Sequence, residues 1–460
     1  VSCVATPSDL ERAFEALKSK QSRYKSLYAY YEGVQRLQYA TERLSHEFRE
    51  FNSRWVENWC AVVIDALLER VSLNGFKLDD EAASNTIEDL WDSLDLSLDS
   101  DDITRDVAVC SEGFLMVEKD DDGKVRAFAN SPHLCAAFYH EDDPREMEVA
   151  AKWFDRDGHA HLALYYPDRL VHYVATKPRA DVSEYGAFML DPEFTDGEEP
   201  NEYGRIPLFH FQRDRCSPHG ELQNVIPLQN ALNKLFADMM VSAEYGAYPQ
   251  RYLIMAAGTN TSNLKGAPNS IMKVPFDVES GVKPEMGQFA ATELQNFLSA
   301  IDHIAAKIAI ITRTPKHYLL QQGDVSGEAL IAMEAPLARK AGKYTERLGV
   351  TWKQAAAFIL ELSGSSVVPN DIEPMWEDVR TVQPWTEAQI RKTNAEAGIP
   401  IETQLEREGW TDEEIAEMGK VEDARSARQT DAASVARDAA MMRFNAGQVP
   451  GMPNAVPAGE

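Results

Sequence analysis

The sequence predicts an α+β protein that is mainly helical, and three observations carry that expectation. Several stretches repeat apolar residues at i, i+3, i+4 and i+7, the period of a helix with one buried face. Between residues 114 and 211, short alternating segments are broken by Asp-Gly and Pro-Asp turns. Helices and strands do not alternate one for one, so a parallel, doubly wound sheet is not expected.

The first helix is predicted over Pro7–Tyr31, with Leu10, Phe14, Leu17 and Tyr24 among its apolar positions and Gly33 closing it. A second covers Phe51–Val71, with Trp55, Trp59, Val62, Val63, Ala66, Leu67 and Val71 near one face, and Leu73–Phe76 turns the chain out of it. A third spans Ala83–Leu96 and a fourth Asp101–Glu112. Strands Phe114–Glu118 and Lys124–Phe128 flank Asp120-Asp121-Asp122-Gly123, a strong hairpin signal. Val149–Phe154, His161–Tyr166 and Arg169–Val174 form a meander, and Ile206–Phe211 is one more strand.

Pro227–Glu244 then reads as a rod about 27–30 Å long, with Leu228, Leu232, Leu235, Phe236, Met239 and Ala243 as its stripe. A second rod runs over Thr292–Arg313, about 33 Å. Its single buried stripe is predicted as Leu294, Phe297, Leu298, Ile301, Ile304, Ala305, Ile308 and Ile311. Thr292 with Gln295 fits a capping box at its start, and Pro315 stops it. Between the rods, Gln250–Phe289 loses helical periodicity and holds short β-like pieces at Arg251–Met255, Ser270–Val274 and Val282–Met286. If the rods are antiparallel neighbours, this small β module sits at their far end. The polar loop Thr314–Val325 follows, then a helix from Gly327 to Leu362, capped by Ser326 and kinked at Pro336. After a Pro-containing link come short helices at Thr386–Ala397, Ile401–Glu408 and Thr411–Met418, the last with Thr411 and Glu414 as a capping box. The end, NAGQVPGMPNAVPAGE, has the composition of a flexible tail.

Catalytic signatures are missing. The Gly-Lys pairs at 123–124, 342–343 and 419–420 lack the Gly that a phosphate-cradling GxxxxGK[ST] needs. No GxGxxG follows a strand, His46-Glu47 does not extend to HExxH, and there is no GxSxG. His159 and His161 alternate on one strand without further metal ligands nearby in sequence, so surface or packing roles are expected. Five scattered cysteines (Cys3, Cys60, Cys110, Cys135, Cys216) without a CxxC pair predict thiols, no disulfide framework and no zinc site. No cofactor is expected. No run approaches 18 consecutive apolar residues and the start shows no secretory pattern, so neither a spanning helix nor a membrane partner is expected.

The net charge of −28 argues against tight nucleic-acid binding, which rests on neutralised phosphates. The acid is uneven. Asp79–Asp121 holds 15 acidic residues against two basic ones, Arg105 and Lys119. Thr292–Val325 holds three of each sign: Glu293, Asp302 and Asp324 against Lys307, Arg313 and Lys316.

The order of parts is a helical–β body, a rod, a small β module, a second rod, a polar loop, a kinked helix and a helical C-terminal region. The local sequences are YYEG (30–33), NWCAVVIDALLERVSLNGF (58–76), VIPLQNALNKLFADMMVSAEYGAYPQRY (225–252), SGEAL (326–330) and AGIP (397–400). Together they resemble the portal (head–tail connector) proteins of tailed double-stranded DNA phages, especially long-tailed phages of actinobacterial hosts, over about residues 1–420.

That resemblance implies a portal fold in which 1–215 with part of 326–383 is the wing. It makes 216–249 and 292–313 the stem helices, 250–291 the clip, 314–325 the tunnel loop, 384–445 the crown and 446–460 a tail. It implies a structural, non-enzymatic ring, usually of twelve subunits, at one capsid vertex of the virion, assembled in the host cytoplasm. Double-stranded DNA would pass through the channel during packaging and ejection. The terminase large subunit, the head–tail adaptor and the major capsid protein would be partners. Lys316, His317, Tyr318, Gln321 and Gln322 would touch DNA transiently, with Gly323 giving the loop freedom; packing between subunits is the competing role for His317 and Tyr318. Leu228, Leu232, Leu235, Met239, Phe297, Ile301, Ile304 and Ile308 would pack subunits together along the stem. The alternatives are another phage head protein, minor head or scaffold, and a packaging ATPase or nuclease, which the absent P-loop and acidic–histidine clusters oppose.

Overall fold

The structure is a computed structural model, and it describes residues 8–36, 38, 57–215, 219–247, 251–254, 285–288, 293–320, 326–379, 384–407, 415–416 and 418–420. The chain divides into two compact units, Val1–Thr381 and Val382–Glu460.

In the first unit, α1 (Asp9–Glu32) starts where the Ser8 hydroxyl accepts from Glu11 N and ends where Gly33 adopts φ 73°. A Cβ at Gly33 would press on Asn58, so glycine serves both the left-handed turn and the close approach. Helix α2 (Trp59–Leu68) begins later than predicted: residues 57–58 are non-helical, and the Asn58 side chain caps Ala61 N at 3.2 Å. Residues 51–56, with Trp55, lie outside the described residues.

Strand β1 (Leu73–Lys77) stands where a turn was predicted. Helices α3 (Glu81–Ser93) and α4 (Leu96–Cys110) match the third and fourth predicted helices in number but not in boundary. The break falls at Asp95, φ 53°, so α4 starts five residues early. Leu96 is fully buried there, which puts the apolar residue at the head of the new helix and not at the end of the old one.

Strands β2 (Glu112–Lys119) and β3 (Val125–Asn130) form the predicted hairpin. Asp120 Oδ1 accepts from the amides of Asp122 and Lys124, and Gly123 takes φ 78°. The meander comprises β4 (Cys135–Tyr139), β5 (Met147–Arg156), β6 (His159–Tyr165), β7 (Arg169–Ala175) and β8 (Phe188–Leu190), with β9 (Glu198–Pro200) also paired to β7. Its middle was legible from alternation; β4, β8 and β9 were not predicted. Strand β10 (Leu208–Gln212) pairs with β2, so β2 is central in a three-stranded sheet.

That position explains a run with five consecutive buried residues, Gly113–Val117. Leu115 and Val117 face the main core, while Phe114 and Met116 pack with Cys135, Ala150 and Ala163 of the meander sheet. On the meander, Phe14 and Leu17 of α1 cover Trp153, Leu162 and Val171. Cys60, Cys110 and Cys135 are buried free thiols, and Cys3 and Cys216 lie outside the described residues.

Helix α5 (Ile226–Ala247) packs against α6 (Leu294–Thr312). Strands β11 (Arg251–Ile254) and β12 (Glu285–Gln288) pair antiparallel between them, with Arg251 opposite Gln288. The end of α5 therefore lies beside the start of α6, and the helices form an antiparallel hairpin. The expected piece Ser270–Val274 lies outside the described residues. The N-cap of α6 is Glu293, without a side-chain cap bond, and Thr292 of the expected capping box lies outside the described residues.

A short turn α7 (Lys316–Leu319) follows, then α8 (Gly327–Leu362), capped by Ser326 with Pro336 inside it. Helix α8 supplies Trp352, whose ring lies 6.0 Å from Trp91 and 6.2 Å from Phe76 in the main core. Strand β13 (Glu373–Trp376) pairs with β1, where only a Pro-containing link was predicted.

In the second unit, α9 (Pro384–Glu396) and α10 (Ile401–Arg407) are separated by Gly398, φ 85°. The Thr411–Glu414 capping box and 421–460 lie outside the described residues.

Candidate functional site: the root of the helical hairpin

The chain enters α5 through a short turn, Glu221–Asn224, and leaves α6 at Thr312. Both points meet α8. Lys340 lies on the buried stripe of that helix, with Leu337, Ala341, Tyr344 and Leu348. Its ammonium donates to Thr312 O at 3.1 Å and pairs with Glu221 Oε2 at 2.7 Å. Glu221 Oε1 also accepts from Tyr344 Oη at 2.7 Å and Arg213 Nε at 2.8 Å. One buried carboxylate thus takes three donors. Burial favours its neutral form, yet Lys340 and Arg213 outweigh it and hold the carboxyl below the usual range.

Amide side chains tie α5 to the helices beside it. Gln229 Oε1 accepts from Trp59 N at 3.1 Å, and its Nε2 donates to Asn233 Oδ1 at 3.0 Å and to Glu57 O. Tyr30 Oη donates to Asn230 Oδ1 at 2.9 Å. Buried amides in such number are costly unless all are matched, which makes the root of the hairpin specific in geometry.

A second knot lies one turn further on. Arg313 takes φ 60°, which ends α6 and sends the chain into α7. Arg70 Nη2 pairs with Glu334 Oε2 at 2.7 Å and lies 3.4 Å from Tyr318 Oη, while its Nη1 donates to Val379 O at 3.0 Å. His317 Nε2 is 3.4 Å from Glu334 Oε1, and the His317 and Tyr318 rings meet edge to face at 4.6 Å. His317 and Tyr318 are half-buried within this chain, and Lys316 is exposed. Gln321, Gln322 and Gly323 lie outside the described residues.

Of the apolar hairpin residues singled out from sequence, Leu232, Ile301 and Ile308 are buried inside the single chain. Leu228, Leu235, Met239, Phe297 and Ile304 are half-buried. The buried stripe of α6 is shorter than predicted: Leu294 and Leu298 continue its face at the start of the helix but are exposed, while Ile311 and Ile310, the latter at 65%, are exposed on other sides. Helix α6 is also long and apolar enough, by length and composition, to cross a bilayer. The search for an unbroken apolar run missed this, because Asp302 and Lys307 interrupt the helix without removing its apolar character. Ile308 in the main core and the Lys340 bond to Thr312 nonetheless make it part of the body.

Sequence reasoning missed Arg70, Glu221, Glu334 and Lys340. The available signal was a charge on an apolar face, as at Lys340 four residues before Tyr344. Of the histidines on β6, His161 stacks on Phe154 at 5.5 Å and lies 3.3 Å from Asp191, and His159 is exposed. Among the described residues, no group of three or more His, Cys, Asp or Glu is placed to hold a metal ion.

A family profile described as "Phage portal protein, SPP1 Gp6-like" matches residues 11–431. Two relatives named "Portal protein" come from Mycobacterium phages. That of phage D29 is 23% identical over 398 residues, covering 79% of this chain and 78% of its own length. That of phage L5 is 24% identical over 401 residues, covering 77% and 78%. With a match across most of its length, the chain belongs to the SPP1 Gp6-like family of phage portal proteins.

Proposed function

We propose that copies of this chain close into a ring, twelve-membered by analogy with the family, at one capsid vertex of the virion. The ring forms the channel through which the genome enters and leaves, and it is a structural part, not an enzyme. Helices α5 and α6 are its stem, the β11–β12 end is the clip, and 314–325 is the loop nearest DNA. The terminase large subunit and the head–tail adaptor dock in turn at the clip, and the major capsid protein surrounds the wing.

The observation that carries this reading is the helical hairpin. It is held at its root by buried polar bonds, while Leu294, Leu298, Ile310 and Ile311 on α6 are exposed. Exposed apolar residues on more than one side of a well-anchored helix mark surface available to neighbouring chains. A head-to-tail contact that closes places a neighbour on two sides of every copy. Within the loop, Lys316 is the exposed cation offered to DNA, and His317 and Tyr318 serve as anchors. The balanced charge of Thr292–Val325 suits sliding, since each neutralised phosphate would add affinity and drag.

Electron-microscopy class averages of the purified protein, viewed along the particle axis, test this. Rings with an axial hole are expected. Solid particles, or persistent monomers with no ring population at high concentration, refute the reading.

A further inference from the structure

Where α1 meets the β3–β4 turn, the surface opens into a cleft of about 480 Å³ lined by Gln21, Lys25, Ser131, His133, Leu134 and Arg179. Every polar side chain on it can donate a hydrogen bond, and no carboxylate lines it. That is unusual on a chain with 74 acidic and 46 basic residues.

The donors are underused. Gln21 Nε2 is buried without a hydrogen-bond partner. Among the described residues the Arg179 side chain pairs with Asp155 at 3.9 Å, while the other oxygen of that carboxylate accepts from Arg179 N at 2.6 Å. Lys25 is exposed, and no ion pair to it occurs among the described residues. His133 is fixed between the rings of Tyr24 and Tyr28, each 5.7 Å away, with its Nδ1 2.9 Å from Ser131 Oγ. Burial and the charge of Arg179 lower its pKa, so at neutral pH the positive charge of the cleft rests on Lys25 and Arg179.

The other end of β3 has the opposite character. At the β2–β3 tip, Asp120 spends its carboxylate on the turn itself. Asp121 and Asp122 are exposed, and no bond to either carboxylate occurs among the described residues. Six residues of rigid strand separate the tip from the cleft turn, about 20 Å, so a chain cannot fold its own tip into its own cleft.

We propose that the cleft receives the Asp121–Asp122 tip of a second copy of this chain. A cleft with two cations and no carboxylate at one end of a strand, and free carboxylates at the other, are the two unlike patches that a head-to-tail interface requires. This inference rests on the ring reading above and adds a specific contact to it.

The test is charge reversal with rescue. Lys25→Glu with Arg179→Glu, and separately Asp121→Lys with Asp122→Lys, should each raise the protein concentration for half-assembly about tenfold or more, read by light scattering and electron microscopy. All four substitutions together should restore assembly. The Asp121 and Asp122 carboxylates bond to no other described residue, so that pair of substitutions reports on the contact even if the cleft variant folds poorly. Wild-type protein that forms no ring overturns the ring reading. Wild-type rings with tip reversal unaffected, or with no rescue in the combined variant, overturn this contact alone. Assembly indifferent to both reversals, with inorganic phosphate shifting the His133 resonances, would give the cleft to a free oxyanion and likewise overturn it.

Discussion

Lys340 Nζ lies 2.7 Å from Glu221 Oε2, with both side chains at least nine-tenths buried, and that contact joins α8 to the entry of α5. The same ammonium holds the last carbonyl of α6, Thr312 O. Removing one member of a buried pair leaves the other charge without compensation, typically costing about 3–5 kcal/mol. Glu221→Gln should therefore destabilise by about 3 kcal/mol, because Lys340 and Arg213 both lose an anion. Denaturant unfolding of the purified protein checks it, and a second change, Lys340→Met, on that background should cost far less than it does alone.

Arg70 connects α2 to α8, to Tyr318 and to Val379 beyond β13. Arg70→Met keeps the length of the side chain but releases Glu334 and the α7 turn together. The expected outcome is a loss of about 2–3 kcal/mol and faster amide exchange over 314–320, with α5 and α6 still protected. Hydrogen exchange read by mass spectrometry separates this local release from global unfolding.

Gly220 marks a place where backbone meets backbone. A Cβ there would lie 2.1 Å from Val109 O, and a main-chain oxygen cannot step aside as a flexible side chain can. Gly220→Ala should cost about 3 kcal/mol or block folding, whereas Gly186→Ala, which meets nothing within 4 Å, should be neutral. Thermal melts of the two variants compare them directly.

Two neighbouring carboxylates on α4 and β2 should give opposite pH signatures. Burial pushes Asp106 up to about 7, the hydrogen bond from Tyr28 working against it and the Asp102 charge adding to it. Burial acts in the same direction on Glu112, but His210 and Lys20 overcome it and bring that carboxyl to about 2. With a raised folded pKa, Asp106 holds its proton in the native state while the unfolded chain gives it up. Stability then falls as pH rises from about 4 to about 7. Glu112 has the depressed pKa, so its contribution is present above the unfolded value and is lost as pH drops from about 4.5 towards 2. Asp106→Asn should remove the first slope only: its stability relative to wild type rises between pH 4 and 7 and levels off above. Glu112→Gln should cost most above pH 5.

Local patterns were legible where partners are close in sequence. The β2–β3 hairpin announced itself through Asp122-Gly123, and the meander through alternation such as Leu162–Leu164. The α5–β–α6 order, and with it the hairpin, followed from period and breakers. What stayed hidden depends on distant pairing. Strand β1 pairs with β13 some 300 residues away, and neither carries a hairpin turn, so each reads as a loop. The polar knots were hidden for the same reason. Arg70 meets Glu334, and Glu221 meets Lys340, across separations at which spacing carries no information. Leu298 and Ile311 read as buried because an apolar residue at helical spacing looks the same whether its own chain or a neighbour covers it.

The charge balance of α6 and its turn leads to a prediction about DNA. Lys307, Arg313 and Lys316 are exposed, and so are Glu293 and Asp302 on the same stretch, so among the described residues this surface carries a single net positive charge and offers phosphates little attraction. Counterion release makes affinity climb with each phosphate neutralised, at a slope of about 0.9 per contact in log salt. In a closed ring every added cation is repeated in each subunit, so even one substitution is amplified. Purified rings should let a linear duplex pass without retention at about 0.1 M salt in a filter-binding assay. Asp302→Lys should convert the same rings into a retaining form whose binding fades steeply as salt rises. Packaging in cells complemented with that variant should slow, although rings still assemble. If Asp302→Lys rings hold no more DNA than the wild type at low salt, this face of α6 does not line the channel, and the stem would have to present a different side to the genome.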